Sequence, residues 1–159
     1  VRSGRFEIMA NTAFEEVMRA CAAPRASGSE TWIDDRFIQA YGDLHRRGLA
    51  HSVEAWREGV LVGGLYGVLL GGVFMGESMF SLPEQGGTDA SKVCLVWLVA
   101  HLNRIGATVL DVQFISDHME RMGAIEVPRD RYLGLLQAHR SDPVAWGRWP
   151  GLDDVLSTS

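Results

Sequence analysis

Two polar residues stand two positions apart in a segment that is otherwise apolar. Asp111 and Gln113 lie within residues 108–114 (TVLDVQF), which we predict to be a buried strand. Side chains two positions apart on a strand share one face, so the carboxylate and the amide would point the same way. Such a pair can orient an amine and handle its proton, or it can form a hydrogen-bond network that only fixes the sheet. Of these two interpretations we favour the site.

Glu77 is the second candidate for chemistry. It ends a stretch without charged residues that begins after Glu58, and it precedes Met79 and Phe80. A carboxylate beside an apolar core is costly unless it is paired, although a strand end in water would also explain it. The residues alone weigh these two interpretations about equally.

Two other reactive patterns fit less well. The serine-hydrolase motif GxSxG needs a second glycine for its sharp turn, and Phe80 occupies that position after Ser78. His45, His51 and Glu54 match no common zinc spacing, so satisfied or surface histidines are favoured over a metal site.

Composition limits the classes of partner. The chain has 159 residues, a hydrophobic fraction of 47% and a formal net charge of −5. These values predict one globular domain over residues 1–159 and argue against a basic surface that grips DNA, while leaving room for a local patch that binds an RNA end. Arg46 and Arg47 are candidates for such a phosphate contact, although a solvated helix C-terminus is favoured.

The compartment follows from three further features. Cys21 and Cys94 lack CxxC spacing and are expected to be reduced. The uncharged stretch contains glycine pairs that favour buried strands over a spanning helix. With no apolar leader after Val1, we expect a cytoplasmic monomer that binds no membrane.

The helices and strands that must position these residues can be predicted from hydrophobic periodicity and from helix-capping residues. Thr12, with Glu15 three residues later, predicts a capping box and a first helix. Asp34 or Asp35 caps a second helix, which Gly48 ends. Strands are predicted at residues 5–9, 50–56, 60–66, 67–74 and 108–114, and further helices at 90–105, 118–122 and 129–138. This order predicts an α+β or mixed α/β domain with a central sheet.

Several blocks of the chain resemble the leucyl/phenylalanyl-tRNA–protein transferase family. Residues 44–56 (LHRRGLAHSVEAW) are similar to the family pattern LHxxGxAHSVExW, and the remaining blocks follow in family order from about residue 6 to 136. These blocks are residues 31–33 (TWI), 61–67 (LVGGLYG), 74–80 (FMGESMF), 90–92 (ASK) and 111–113 (DVQ), with His118, Gly123, Ala124, Pro128, Arg129 and Tyr132.

The resemblance implies a fold, a reaction and a set of roles. The fold would be GNAT-like, with a mostly antiparallel sheet. The reaction would transfer Leu or Phe from aminoacyl-tRNA to proteins that begin with Arg or Lys, without a cofactor, and would feed bacterial N-degron degradation. Asp111 and Gln113 match the family's catalytic pair, and Glu77 matches a carboxylate near the acceptor. The residues expected to bind substrate are Met79, Phe80, Leu65, Leu110, Trp32 and Ser78.

Two departures from the family leave alternatives open. The family's N-terminal segment is expected to be absent, and the loop at residues 82–89 is expected to be longer than usual. One alternative is a GNAT acyltransferase that uses acyl-CoA, but residues 85–90 (QGGTDA) lack the usual pyrophosphate cradle and Asp89 would repel phosphate. Another alternative is a non-catalytic relic that binds peptide or tRNA.

Overall fold

A computed structural model describes residues 4–23, 34–151 and 155 of the chain. Within these residues one sheet of five strands forms, in the order β1-β2-β3-β4-β5. The strands are β1 (Glu7–Ala10), β2 (Ala50–Arg57), β3 (Val60–Leu70), β4 (Val73–Ser81) and β5 (Val109–Asp111); the first four are antiparallel neighbours and β5 runs parallel to β4. The helices are α1 (Phe14–Ala22), α2 (Asp35–Arg46), α3 (Ala90–Ile105), α4 (Asp117–Arg121) and α5 (Arg129–His139), with a 3₁₀ turn at Pro83–Gln85. The predicted α+β architecture is confirmed.

The two faces of the sheet carry different helices because side chains alternate along each strand. Leu65 and Phe74 face α3, where they pack with Leu98 and other apolar residues. Tyr66, the neighbour of Leu65, points the other way and packs with α1 and α2 around Val17. The sheet and the C-terminal residues Trp146 and Trp149 both pack against α3, so apolar residues occupy most of its circumference.

The β3–β4 hairpin differs from the prediction that one strand ends at Tyr66 and the next begins at Gly67. β3 runs unbroken through both residues, and the chain reverses at Gly71 and Gly72 instead. Gly71 has φ +57°, a conformation that L side chains rarely adopt, and a Cβ there would lie 2.4 Å from the Arg140 carbonyl oxygen. The irregularity at Gly67 is a bulge, not a strand end.

The predicted capping box at Thr12 is wrong. The N-cap of α1 is Ala13, and the Thr12 hydroxyl instead donates to Glu54 Oε2 at 2.5 Å. Glu54 is fully buried on β2, and its carboxylate also accepts from the Ser52 hydroxyl at 2.6 Å and from the Ala13 amide at 3.2 Å. A buried carboxylate needs every donor it can find, so it recruits Thr12 and thereby fixes where α1 meets the sheet.

The second helix begins as expected. Asp34 is its N-cap and accepts from the backbone amides of Arg36 at 2.9 Å and Phe37 at 3.1 Å. Among the described residues, none of the helices has the length and apolar character that crossing a bilayer requires. The long uncharged stretch forms β3 and the first four residues of β4, as the glycine pairs predicted.

Candidate active site at the opening between strands 4 and 5

The site lies where β4 and β5 separate. The two strands pair from Val73 with Val109 to Met75 with Asp111, and in the described part of the chain the ladder ends there. β4 continues to Ser81 while the chain after Asp111 turns away from the sheet. The prediction of a strand through residue 114 is therefore wrong, because Gln113 has φ +64° and cannot continue an extended chain.

A β-bulge places Glu77 at this opening. Gly76 pairs with Gly67 and Ser78 pairs with Tyr66, so Glu77 is the extra residue of β4 between them. A Cβ on Gly67 would lie 2.3 Å from the Met75 carbonyl oxygen, so the close approach of the two strands requires glycine there. The bulge leaves Glu77 half-buried and turned toward the end of β5.

Gln113 connects the other two predicted catalytic residues, Asp111 and Glu77. Its Nε2 donates to the Gly76 carbonyl oxygen at 2.8 Å and to Glu77 Oε2 at 3.2 Å. Its backbone N–H donates to Asp111 Oδ1 at 2.7 Å. The structure thus brings Glu77, Asp111 and Gln113 together, although not on one strand face: Asp111 ends the strand, and Gln113 follows it in a left-handed conformation that costs about 1–3 kcal/mol for a residue other than glycine.

The orientation of the Gln113 amide is fixed by its partners. Both groups that face Nε2 are oxygens that can only accept, so the NH₂ end must point toward Gly76 and Glu77. Both amide hydrogens are then committed, and Oε1 is the side-chain atom that can still accept a hydrogen bond. An acceptor oxygen at this position suits the N–H of an amine.

Two tyrosines complete the site and were not among the predicted site residues. The Tyr132 hydroxyl, on α5, donates to Asp111 Oδ2 at 2.6 Å. That bond, followed by burial, raises the pKa of Tyr132 to about 12. The pKa of Tyr41, on α2, is also raised to about 12, first by burial, then by the negative charge of Glu77 and a hydrogen bond to it. Both hydroxyls therefore stay protonated at neutral pH.

Sequence reasoning could not single out these tyrosines, because each partner is distant in the chain. Tyr132 is 21 residues from Asp111, and Tyr41 precedes Glu77 by two intervening strands. Tyr41 sits at helical spacing from Ile38 and is typical of a core-facing position. Only the resemblance block that contains Tyr132 gave a signal, and it assigned no role.

An apolar cavity of about 260 Å³ opens behind Gln113. Leu65, Met79, Leu110 and Ser78, four of the residues expected to bind substrate, line it. Further apolar walls come from Leu95, Leu98, Phe74 and Met119. Small-molecule sites usually hold about 300–1,000 Å³, so this cavity is of a size for a single amino-acid side chain.

Phe80 does not belong to that wall, which corrects its predicted position. Met79 and Phe80 are consecutive on β4 and must point to opposite faces. Met79 faces α3 and the cavity, while Phe80 packs in the cluster that contains Tyr66 and Val17. Trp32, the other predicted binding residue, lies outside the described residues.

A wider groove of about 820 Å³ lies on the other side of residues 112–114. Asp111, Tyr132 and Arg129 line it, and its wall includes the exposed Phe114 and Ile125. Gln113 therefore lies between this larger groove and the smaller cavity, and it lines both of them. This arrangement can hold one reactant's side chain on one side and a larger molecule on the other.

The residues that were weighed for a metal serve the fold. His45 Nδ1 lies 2.8 Å from the Ala50 carbonyl oxygen, and His51 Nε2 lies 3.1 Å from the Gly48 carbonyl oxygen. These contacts confirm that the two histidines are satisfied structurally. Within the described residues no group of histidine, cysteine and carboxylate side chains is arranged to hold a metal ion.

The fold belongs to the GNAT class. The chain is similar to a GNAT family acetyltransferase from Brucella melitensis solved in complex with acetyl-CoA, with a TM-score of 0.57 and 16% identity over 77% of this chain and 91% of that one. It is also similar to a putative acetyl transferase from Pyrococcus furiosus, with a TM-score of 0.60 and 14% identity over 77% and 95% of the two chains. At such identities the likeness concerns the fold alone, and it confirms the GNAT-like prediction.

The chain belongs to the leucyl/phenylalanyl-tRNA protein transferase family, whose pattern it matches over residues 1–137. It is 57% identical over 136 residues to the leucyl/phenylalanyl-tRNA–protein transferase of Rhizorhabdus wittichii, covering 86% of this chain and 53% of that protein. The enzyme of the same name from Chlorobaculum parvum is 51% identical over 133 residues, or 84% and 66% of the two. The chain thus spans about half to two-thirds of the length of these curated relatives.

Proposed function

We propose that this chain carries the site at which a leucyl or phenylalanyl group passes from aminoacyl-tRNA to the N-terminal Arg or Lys of an acceptor protein. Methionyl is a further candidate donor group. The observation that carries the proposal is the position of Gln113, which presents an amide oxygen at the mouth of an apolar cavity while bonded to Asp111 and Glu77. Family membership supports the same reaction.

The chemistry is aminolysis of an ester. The neutral α-amine of the acceptor attacks the carbonyl carbon that joins the amino acid to the tRNA 3′ oxygen. A C–N bond forms, the C–O bond breaks, and the proton lost by the amine ends on the departing tRNA hydroxyl. The step needs no covalent enzyme intermediate, so positioning and proton handling are the protein's main contributions.

Each candidate residue has a part in this step. Gln113 Oε1 accepts a hydrogen bond from an N–H of the attacking amine and so orients the lone pair of the amine nitrogen toward the ester carbon. Asp111 holds Gln113 through the backbone bond of 2.7 Å and places a negative charge near the amine as it becomes positive. Glu77 orients the Gln113 amide and attracts the cationic acceptor, whose N-terminus carries a basic side chain.

The cavity accounts for the choice of donor group. Its apolar walls, with the flexible Met79 among them, gain free energy by burying an aliphatic or aromatic side chain without asking for a polar match. A charged or amide side chain would lose its hydration there with little compensation. The ester end of the donor would then reach the wider groove, where Arg129 and Arg131 are placed to meet a phosphate.

The start of α3 supports an acyl-CoA donor less well than an aminoacyl-tRNA donor, because its first backbone amides already have partners. In that alternative the first amides of the helix would bind pyrophosphate. Here the Ser91 amide already donates to Ser81 Oγ at 3.0 Å, and the Ala90 amide donates to the Gly87 carbonyl oxygen at 2.9 Å. Asp89, which pairs with Lys92 at 2.5 Å, adds a carboxylate beside the same helix end.

The test is a comparison of donors in one assay. Labelled leucine on Leu-tRNA is offered with an Arg-starting peptide, and acetyl-CoA is offered in a parallel reaction. The expected result is a peptide extended by leucine and no acetylated product. Acetylation instead would replace the proposed donor, and binding of peptide and tRNA without any product would favour the non-catalytic relic.

The biological consequence follows from the product. A protein that gains an N-terminal leucine or phenylalanine becomes a substrate for the bacterial N-degron route. Because charged tRNA is the donor, we place the reaction in the cytoplasm, with the acceptor end of tRNA and the acceptor N-terminus as partners.

A further inference from the structure

Tyr132 makes a contact that its helix does not otherwise explain. α5 contains no buried residue among those described, so packing alone holds it weakly to the sheet. Its Tyr132 nevertheless reaches β5, and the hydroxyl donates to Asp111 Oδ2 at 2.6 Å. Tyr132 also lines the groove that opens in front of the candidate site.

This contact completes the fixation of the Asp111 carboxylate. Oδ1 accepts the Gln113 backbone N–H at 2.7 Å, and Oδ2 accepts the Tyr132 hydroxyl at 2.6 Å. A carboxylate held at one oxygen can still rotate about its Cβ–Cγ bond. A carboxylate held at both oxygens, from two different elements, has one orientation.

The orientation matters because Gln113 depends on it. The backbone of Gln113 has φ +64°, which is uncommon for a residue other than glycine, and the hydrogen bond from its N–H to Asp111 opposes relaxation of that conformation. If the carboxylate rotated, the Gln113 backbone would be released. Its side chain would then leave the Gly76 carbonyl oxygen and Glu77.

We propose that Tyr132 is a positioning residue for aminoacyl transfer: through Asp111 it keeps Gln113 in the conformation that presents its amide oxygen to the acceptor amine. The inference rests on the proposed function for the reaction itself. It goes beyond that function in assigning α5 a part in the reaction.

The first test is Tyr132→Phe, which removes the hydroxyl and keeps the ring. The expected result is a fall in kcat of about tenfold, the effect of one hydrogen bond to a charged group. The KM values for Leu-tRNA and for the acceptor peptide should stay within twofold, because neither ligand loses a contact. Leu133→Ala, on the same helix with a side chain 45% exposed, is the matched control and should retain the native rate.

A second measurement separates positioning from general weakening of α5. In an Asp111→Ala background, which removes both acceptor oxygens, Tyr132→Phe should lower the single-turnover transfer rate, measured with excess protein, by less than a further twofold. A full additional tenfold loss would mean that the hydroxyl acts independently of Asp111 and would overturn the proposal. So would a native kcat in the single variant.

A readout without turnover keeps this inference apart from the proposed function. Hydrogen exchange of the Gln113 backbone amide should quicken at least fivefold in Tyr132→Phe and stay unchanged in Leu133→Ala. If the native protein transferred no aminoacyl group, the proposed function would fall. Unchanged exchange at Gln113 would refute the positioning role whatever the activity.

Discussion

Asp111→Asn is the substitution for which the structure yields a magnitude. The carboxylate accepts the Gln113 backbone N–H at one oxygen and the Tyr132 hydroxyl at the other. Asparagine has one oxygen, so it keeps one of these bonds and turns an NH₂ group toward the other donor. The lost bond to a charged acceptor is worth about 1.5–3 kcal/mol. If that free energy supports the reactive geometry, kcat should fall roughly 10- to 150-fold.

The assay is single-turnover transfer of labelled leucine to an Arg-starting peptide, with thermal unfolding measured on the same preparations. Asp130→Asn is the matched control, since Asp130 is an exposed carboxylate at the start of α5. The control should transfer at the native rate. A rate for Asp111→Asn within threefold of native, in a folded protein, would refute the role given to this carboxylate.

Three further substitutions or conditions test other parts of the structure. Glu77→Gln should raise the KM for an Arg-starting peptide about tenfold, because the charge that attracts the cation is lost; an unchanged KM would remove Glu77 from the acceptor site. Met79→Trp should narrow the cavity and lower kcat/KM for Phe-tRNA more than for Leu-tRNA, and equal losses would argue that the donor side chain lies elsewhere. Burial lowers the pKa of His51 and of His101 to about 4. As the pH drops below about 6.5, the unfolded chain therefore binds protons at these histidines while the folded chain does not. The free energy of unfolding, from urea titrations, should therefore fall by about 2 kcal/mol per histidine between about pH 7.5 and 5. A His51→Gln/His101→Gln protein with the full native pH dependence would contradict this account.

Local patterns predicted most of the elements. Helix α3 is predicted at residues 90–105 and lies at Ala90–Ile105, because a long apolar segment between two polar loops favours a buried helix. The cap of the second helix was also found at Asp34, one of the two positions predicted for it. These features depend on residues a few positions apart, so the sequence contains all the necessary information.

The errors arose where a distant partner competed with a local one. Thr12 has the spacing of a capping residue, but its hydroxyl donates a hydrogen bond to the buried Glu54 carboxylate, 42 residues away. The strand predicted through residue 114 stops at Asp111, because the separation of β5 from β4 leaves the following residues without a ladder to join. Local propensity could not foresee either event.

The candidate site divides in the same way. The types and spacing of Glu77, Asp111 and Gln113 marked them in the sequence as polar residues in apolar surroundings, and the family resemblance named them as a set. Their contacts depend on the bulge in β4, the left-handed turn at Gln113 and a tyrosine from α5. The sequence determines which polar side chains lose free energy when they are buried without a partner, because that desolvation penalty is a property of each residue type. The tertiary structure decides which groups become their hydrogen-bond partners, because only the folded chain brings residues from β4, β5 and α5 within hydrogen-bond distance.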